Sequence, residues 1–187
     1  MSEALISTTT RARFIVSLPP KPNALAAHLA RAAAASFTTL TDTRDAFLHL
    51  ARRARDRLVI MTPFIDHAGA RWASELFAAT QAADKILIVR DRAKLQAFGD
   101  TGFALASAAT RILQYEIPQI DDRGRSYTET FHAKIVLADG VAAYVGSANF
   151  LHRSRDANLE CGFLLEGDAV SPVMVLVNAV IDACQPP

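Results

Sequence analysis

The chain has 187 residues, the length of one ordinary domain. Hydrophobic types make up 51% and charged types 21%, which supplies a sizeable core and excludes a disordered chain. Twenty basic against nineteen acidic side chains leave a formal charge of +1, so a histone-like or acidic-tail protein is excluded and any polyanion contact must come from a local patch.

The first fourteen residues include Glu3, Arg11 and Arg13 without an apolar stretch, so no export leader is expected. Residues 13–18 read as a short strand closed by Pro19 and Pro20, and the alanine-rich stretch 23–36 reads as a helix. Thr41 or Asp42 caps a second helix whose apolar face carries Ala46, Phe47, Leu50 and Ala51, with Arg52, Arg53, Arg55 and Arg57 as its solvated end. A buried strand over 58–61 stops at Thr62-Pro63; a helix over about 70–79 and a strand over 85–90 follow. Two short helical stretches between 92 and 110 precede a strand over 111–117 and a polar loop over 120–126. After it come strands over 130–138, 141–147 and 159–165. Ser171-Pro172 then opens a last helix, apolar nearly all round, which suits the core or a subunit contact. Its densest run, 173–181, is about half a membrane-spanning length, so no membrane contact is expected. Cys161 and Cys184 lack zinc-site spacing. The pattern predicts a reduced, cytoplasmic α/β domain, a mixed sheet flanked by helices on both faces.

One segment concentrates chemistry: Phe131-His132-Ala133-Lys134, then Asp139-Gly140, then Gly146-Ser147-Ala148-Asn149-Phe150. Asp-Gly between two apolar runs signals a two-residue hairpin turn, which sets His132 directly across from Ser147. Alternation then places His132, Lys134, Ser147 and Asn149 on one face, with Ile135, Leu137, Ala142 and Tyr144 on the other. A longer turn would slip this register and scatter the group. An imidazole, an ammonium, a hydroxyl and a carboxamide, with no carboxylate cluster to hold a metal, are the parts needed to bind and attack a phosphodiester. Glu160, at the start of the next strand, is a candidate acceptor for the other ring nitrogen of His132. The plain alternative is an edge hairpin with solvated polar residues.

The spacing His-x-Lys, four residues, Asp, six residues, Gly-Ser-x-Asn resembles the signature of the phospholipase D superfamily, met by His132, Lys134, Asp139, Gly146, Ser147 and Asn149. Leu159-Glu160 before an apolar strand resembles its continuation, in which a glutamate supports the histidine. The sharp match covers residues 128–167; a looser one reaches back to about 41 and includes Thr62-Pro63-Phe64. The resemblance implies a phospholipase D-like catalytic domain over 41–187, with 1–40 an N-terminal extension packed on it. It further implies a metal-independent phosphodiesterase without cofactor, using a phosphohistidine intermediate. Two motif copies form such a site and this chain has one, so a homodimer is implied, with His132 of both chains meeting at the two-fold axis. Asp139, in the turn, is then structural.

Single-motif members of this size resemble small bacterial nucleases, so the expected substrate is DNA or RNA. Lipid phosphodiester hydrolysis and a non-catalytic nucleic-acid-binding or assembly subunit are the competing readings, and protein partners, as in phage defence, are suggested by analogy. Arg123 and Arg125 before the motif, and Arg153 and Arg155 after it, are candidates to hold flanking phosphates against an ordinary solvated role. His67 lies past a strand end, where a helix-start role competes. His152 has no defined role, and Tyr144 and Phe150 read as core.

Overall fold

The computed structural model describes residues 9–25, 28 and 41–184. Seven strands form one mixed sheet in the order β1-β9-β8-β7-β2-β3-β4. These are β1 (Arg11–Ser17), β2 (Arg57–Met61), β3 (Asp84–Val89), β4 (Arg111–Gln114), β7 (Lys134–Ala138), β8 (Ala142–Gly146) and β9 (Glu160–Glu166). Strands β2, β3 and β4 are parallel, and the rest of the sheet is antiparallel. The expected strand at 13–18 is β1, which pairs along β9 and adds an edge to the sheet. Most of the helix expected over 23–36 lies outside the described residues.

On one face sit α1 (Thr43–Arg53), α2 (His67–Ala79), the short α3 (Ala93–Gln96) and α4 (Asp100–Ala108). Asp42 caps α1, its carboxylate accepting from the Arg44 N–H at 2.6 Å, and Asp66 caps α2. Phe47, Leu50, Trp72 and Phe77 from these helices pack onto Leu58, Ile60, Leu87, Val136 and Tyr144 of the sheet. Each such buried apolar side chain contributes about 1.5–3 kcal/mol over exposure. On the opposite face α6 (Ser171–Ala183) lays Val177, Val180 and Ile181 over Val59, Ile86, Ile135 and Leu137. The last helix is thus only partly covered: Val175 and Leu176 remain largely exposed. No helix among the described residues is long and apolar enough to cross a membrane.

Two departures from the expected elements bear on the site. The strand expected over 111–117 breaks at Tyr115: β5 (Glu116–Ile120) leaves the main sheet and pairs with β6 (Ser126–Thr130) as a separate two-stranded arm. The hairpin register is also shifted by one residue, pairing Ala138 with Ala142 and Lys134 with Gly146. Ala142 and Tyr144 therefore share a face with Val136, not with Ile135 and Leu137. The turn itself forms as read, with positive φ at Asp139 (52°) and Gly140 (71°) and the Val141 N–H on the Ala138 carbonyl at 3.0 Å. Val141, however, turns its own carbonyl to the Gly167 N–H, at 3.2 Å, and becomes an extra, bulged residue.

Asp139 explains why this turn is held. Its Oδ1 accepts from the Asp56 and Arg57 N–H groups at 3.0 and 2.7 Å, and its Oδ2 from the Arg55 N–H at 2.7 Å. One carboxylate thereby satisfies the backbone leading into β2 and fixes the hairpin against it.

Candidate active site

The β7–β8 ladder ends where Lys134 meets Gly146. His132 precedes that end, and Ser147 and Asn149 lie past it, so all three occupy segments outside the pleat. For this reason the one-residue shift does not scatter the group: strand alternation stops governing side chains where the ladder stops. His132, Lys134, Ser147 and Asn149 line one open cleft of about 550 Å³.

Lys134 is buried, with 6% exposure, and its Nζ lies 2.7 Å from Nδ1 of the exposed His132 and 2.6 Å from the His132 carbonyl oxygen. Burial lowers the pKa of this ammonium below the ordinary lysine value, with the Glu160 carboxylate acting in the opposite direction. Glu160 opens β9 and is 5% exposed. It accepts a short hydrogen bond from the Ser147 hydroxyl. The sequence offers Glu160 to the His132 ring; in the structure its hydrogen-bond partner is Ser147. The reason lies in the backbone, because the Ser147 N–H donates to the Cys161 carbonyl at 2.9 Å and the Cys161 N–H donates to Ser147 Oγ at 3.1 Å. That reciprocal pair pins the hydroxyl beside the first carboxylate of β9.

Gly146 of the motif is required by close approach. A Cβ there would run into the Tyr144 hydroxyl and the Cys161 carbonyl. The Tyr144 ring is fully buried over this spot, and burial pushes its hydroxyl pKa up to about 12. Asn149 is held from the other side. The Thr62 hydroxyl accepts from the Phe150 N–H at 3.3 Å and donates to the Phe64 carbonyl at 2.9 Å. Asp66 accepts from the His152 N–H at 2.9 Å and from the Gly69 N–H at 2.8 Å. The loop after β2 thus clamps the loop after β8. Asn149 Oδ1 is buried with no hydrogen-bond partner among the described residues.

Phe64, not singled out as a site candidate from the sequence, stands close to His132, and Arg90 stands over Phe64. Phe64 meets the imidazole edge-on with ring centres 5.6 Å apart, and the Arg90 guanidinium lies over the Phe64 ring at 5.6 Å. Their signal was positional: each follows a parallel strand, β2 or β3, at the carboxyl end where α/β sheets gather ligands. His67 is the first residue of α2 and pairs with the Thr101 hydroxyl at 2.9 Å, away from the cleft, in keeping with a helix-start residue.

The four candidate arginines do not line the cleft. Arg123 and Arg125 sit at the tip of the β5–β6 arm, and β6 spans five residues, about 17 Å. Arg125 is tied to Asp121 at 2.7 Å, and hydrogen bonds from Arg125 hold the Asp121 carboxyl below its usual range. Arg153 and Arg155 lie on α5 (His152–Asp156). Arg155 stacks over Trp72 at 5.8 Å and pairs with Glu75 at 3.6 Å, a packed role, while Arg153 is exposed. Among the described residues no group of three or more His, Cys, Asp or Glu side chains gathers to hold a metal ion.

The family model described as cardiolipin synthase, phospholipase D-like domain, matches residues 47–178. No curated protein matches the sequence. Among solved structures, NucT from Helicobacter pylori is similar with a TM-score of 0.59 and 13% identity, over 96% of this chain and 100% of that one. Nuc, a phospholipase D family member from Salmonella typhimurium, is similar with a TM-score of 0.56 and 14% identity, over 93% of each chain. Phosphatidylserine synthase from Haemophilus influenzae is similar with a TM-score of 0.50 and 14% identity, over 95% of this chain and 39% of that one. At these identities the likeness is one of fold.

Proposed function

The chain belongs to the family of cardiolipin synthase, phospholipase D-like domains, and from that premise we propose that it is a metal-independent nuclease cleaving phosphodiester bonds of DNA or RNA. The observation that carries the reading is the convergence of His132, Lys134, Ser147 and Asn149 on one open cleft. In the proposed reaction the Lys134 ammonium and the Asn149 carboxamide take the non-bridging oxygens as negative charge builds on them, while the Ser147 hydroxyl, already donated to Glu160, fixes that carboxylate beside them. A ring nitrogen of His132 attacks phosphorus, forming a P–N bond as the P–O bond to the leaving group breaks. The leaving oxygen needs a proton, which His132 of the partner subunit supplies as a second copy completes the site. That same imidazole then takes a proton from water, which attacks phosphorus and releases His132. The Lys134 contact to Nδ1 is compatible with this sequence, since substrate oxygens offer the ammonium a better acceptor and free the ring. The two free cysteines fit work in a reducing compartment such as the cytoplasm.

The test is cleavage of DNA and RNA in excess EDTA by wild type and His132→Ala, each sized first by light scattering. EDTA-resistant cleavage by a wild-type dimer, absent from the variant, is the expected result. Cleavage that needs metal and survives the substitution would overturn the reading. A lipid phosphodiester is the second reading, favoured by the name of the matched family and by the fold shared with a phosphatidylserine synthase. Headgroup release from phospholipid vesicles, lost in His132→Ala, would select it.

A further inference from the structure

The cleft that holds His132 has a second, apolar end. Phe163 on β9 pairs with Val145 on β8 and with Phe14 on β1, and all three line the cleft together with the polar group. The two phenyl rings lie 5.4 Å apart, tilted by 53°, and each residue is 49% exposed. The core beneath α6 takes in Ala143 and Leu165, further along the same two strands, but neither phenylalanine. A pair of half-exposed aromatic rings beside a phosphodiester-binding group is a poor use of surface unless something flat is laid on it.

We propose that this aromatic end is a stacking shelf for an unpaired nucleobase next to the scissile phosphate, so that the enzyme selects single-stranded DNA or RNA over duplex. The inference rests on the nuclease reading above. Phe163 stands two strand spacings from β7, about 10 Å, which is within the span of one nucleotide whose phosphate sits at His132 and Lys134. Stacking on aromatic rings is tolerant of base identity, because every base has a π-face. In a duplex those faces are covered by neighbouring pairs, and exposing one costs a few kcal/mol. The shelf therefore rewards a strand that is already unpaired. An acyl chain would cover the rings only in part and leave most of its length in water, since the cleft is open rather than a tunnel.

The test compares cleavage of one sequence as a single strand and as a duplex by wild type, Phe163→Ala, Phe14→Ala, Phe163→Tyr and Phe163→Leu. Binding of a single strand carrying 2-aminopurine to the His132→Ala protein, with and without Phe163→Ala, is measured in parallel. The expected result is a wild-type preference for the single strand that falls about tenfold in each alanine variant. Phe163→Tyr should keep the preference, and Phe163→Leu, apolar but without a ring, should lose it. Stacking should also quench the 2-aminopurine fluorescence, and the quench should disappear with Phe163→Ala. Both phenylalanines are half-exposed, so their removal does not hollow the core. A Phe163→Leu enzyme with unchanged preference overturns the shelf. So does equal loss on both substrates together with dissociation to monomer, which would make the rings a contact between copies. Loss confined to vesicle substrates overturns it in favour of a lipid chain. Quenched binding without cleavage would sink the nuclease reading while upholding the shelf, and cleavage indifferent to Phe14 and Phe163 would do the reverse.

Discussion

The Lys134 ammonium stands 2.7 Å from Nδ1 of His132, and the lysine bearing it is buried to 6% exposure. An ammonium can only donate, so the ring nitrogen facing it accepts. Burial also lowers the lysine pKa from its ordinary value of 10.5, so in the folded protein the charge is lost at a lower pH than in an exposed lysine. The rate should accordingly fall on an alkaline limb that begins below 10.5. Lys134→Arg, if active, should carry that limb upward, because a guanidinium stays charged. Lys134→Ala should lose about a hundredfold or more in kcat. The effect on stability has its own sign. The unfolded chain holds this proton to higher pH than the native one, so the group favours folding increasingly as pH rises through the window between the lowered value and 10.5.

Glu160 offers a check on the same device from the opposite direction. Its carboxylate is the group that works against the fall of the Lys134 pKa, and it accepts the Ser147 hydroxyl. Glu160→Gln removes the charge while keeping the shape and an acceptor. The alkaline limb should move further down in this variant, with a loss of kcat larger than any change in KM. A limb that stays in place would show that Glu160 does not act through Lys134.

A site completed by two copies should show in mixtures. When wild type and His132→Ala are unfolded together, refolded and assayed, a mixed dimer has the nucleophile or the proton donor but not both. Activity should then follow the square of the wild-type fraction, about a quarter at equal mixing. A linear dependence would mean that one chain does the chemistry alone.

Much of this site was legible because the motif residues declare themselves by type and spacing. His132, Lys134, Ser147 and Asn149 line one cleft, although a two-residue turn alone sets the hairpin one residue away from its actual register. Local sequence reads Asp139-Gly140 as a turn correctly, but the bulge at Val141 depends on Gly167 and the α1–β2 backbone, which are distant in sequence. The β5–β6 arm is hidden for a similar reason, since a strand-like stretch over 111–117 does not reveal that its second half changes sheets. Phe64 reaches His132, and Arg90 reaches Phe64, only through the packing of parallel strands, a relation that no spacing along the chain encodes. The strands and helices around the core, by contrast, follow from unbroken apolar runs and capped amphipathic stretches.

Asp139→Ala separates scaffold from chemistry. The substitution strips three backbone N–H groups of their acceptor and places alanine at φ 52°, where a β-carbon is disfavoured. Stability should fall by about 3 kcal/mol, given that hydrogen bonds to a charged group contribute about 1.5–3 kcal/mol each and water replaces part of the loss. The measurement is chemical denaturation with a parallel assay well below the melting temperature. Near-normal kcat in the folded fraction is the expected outcome, and a catalytic collapse without loss of stability would place Asp139 in the reaction.

The arginines should divide by what they already hold. Arg155 stacks on Trp72 and pairs with Glu75, so Arg155→Ala should cost about 1 kcal/mol of stability and leave KM unchanged. Arg90 is different: its guanidinium covers Phe64, which in turn touches His132, and its ion pair with Glu116 is long at 3.7 Å. A phosphate next to the scissile one is a stronger partner than that carboxylate, and Arg90→Ala should raise KM severalfold with little change in kcat. Arg123 and Arg125, about 17 Å out along the arm, can touch only a longer strand. Their joint replacement should leave a short oligonucleotide unaffected and weaken a long one, with a smaller salt dependence of binding. An equal effect on short and long substrates would bring the arm over the cleft itself.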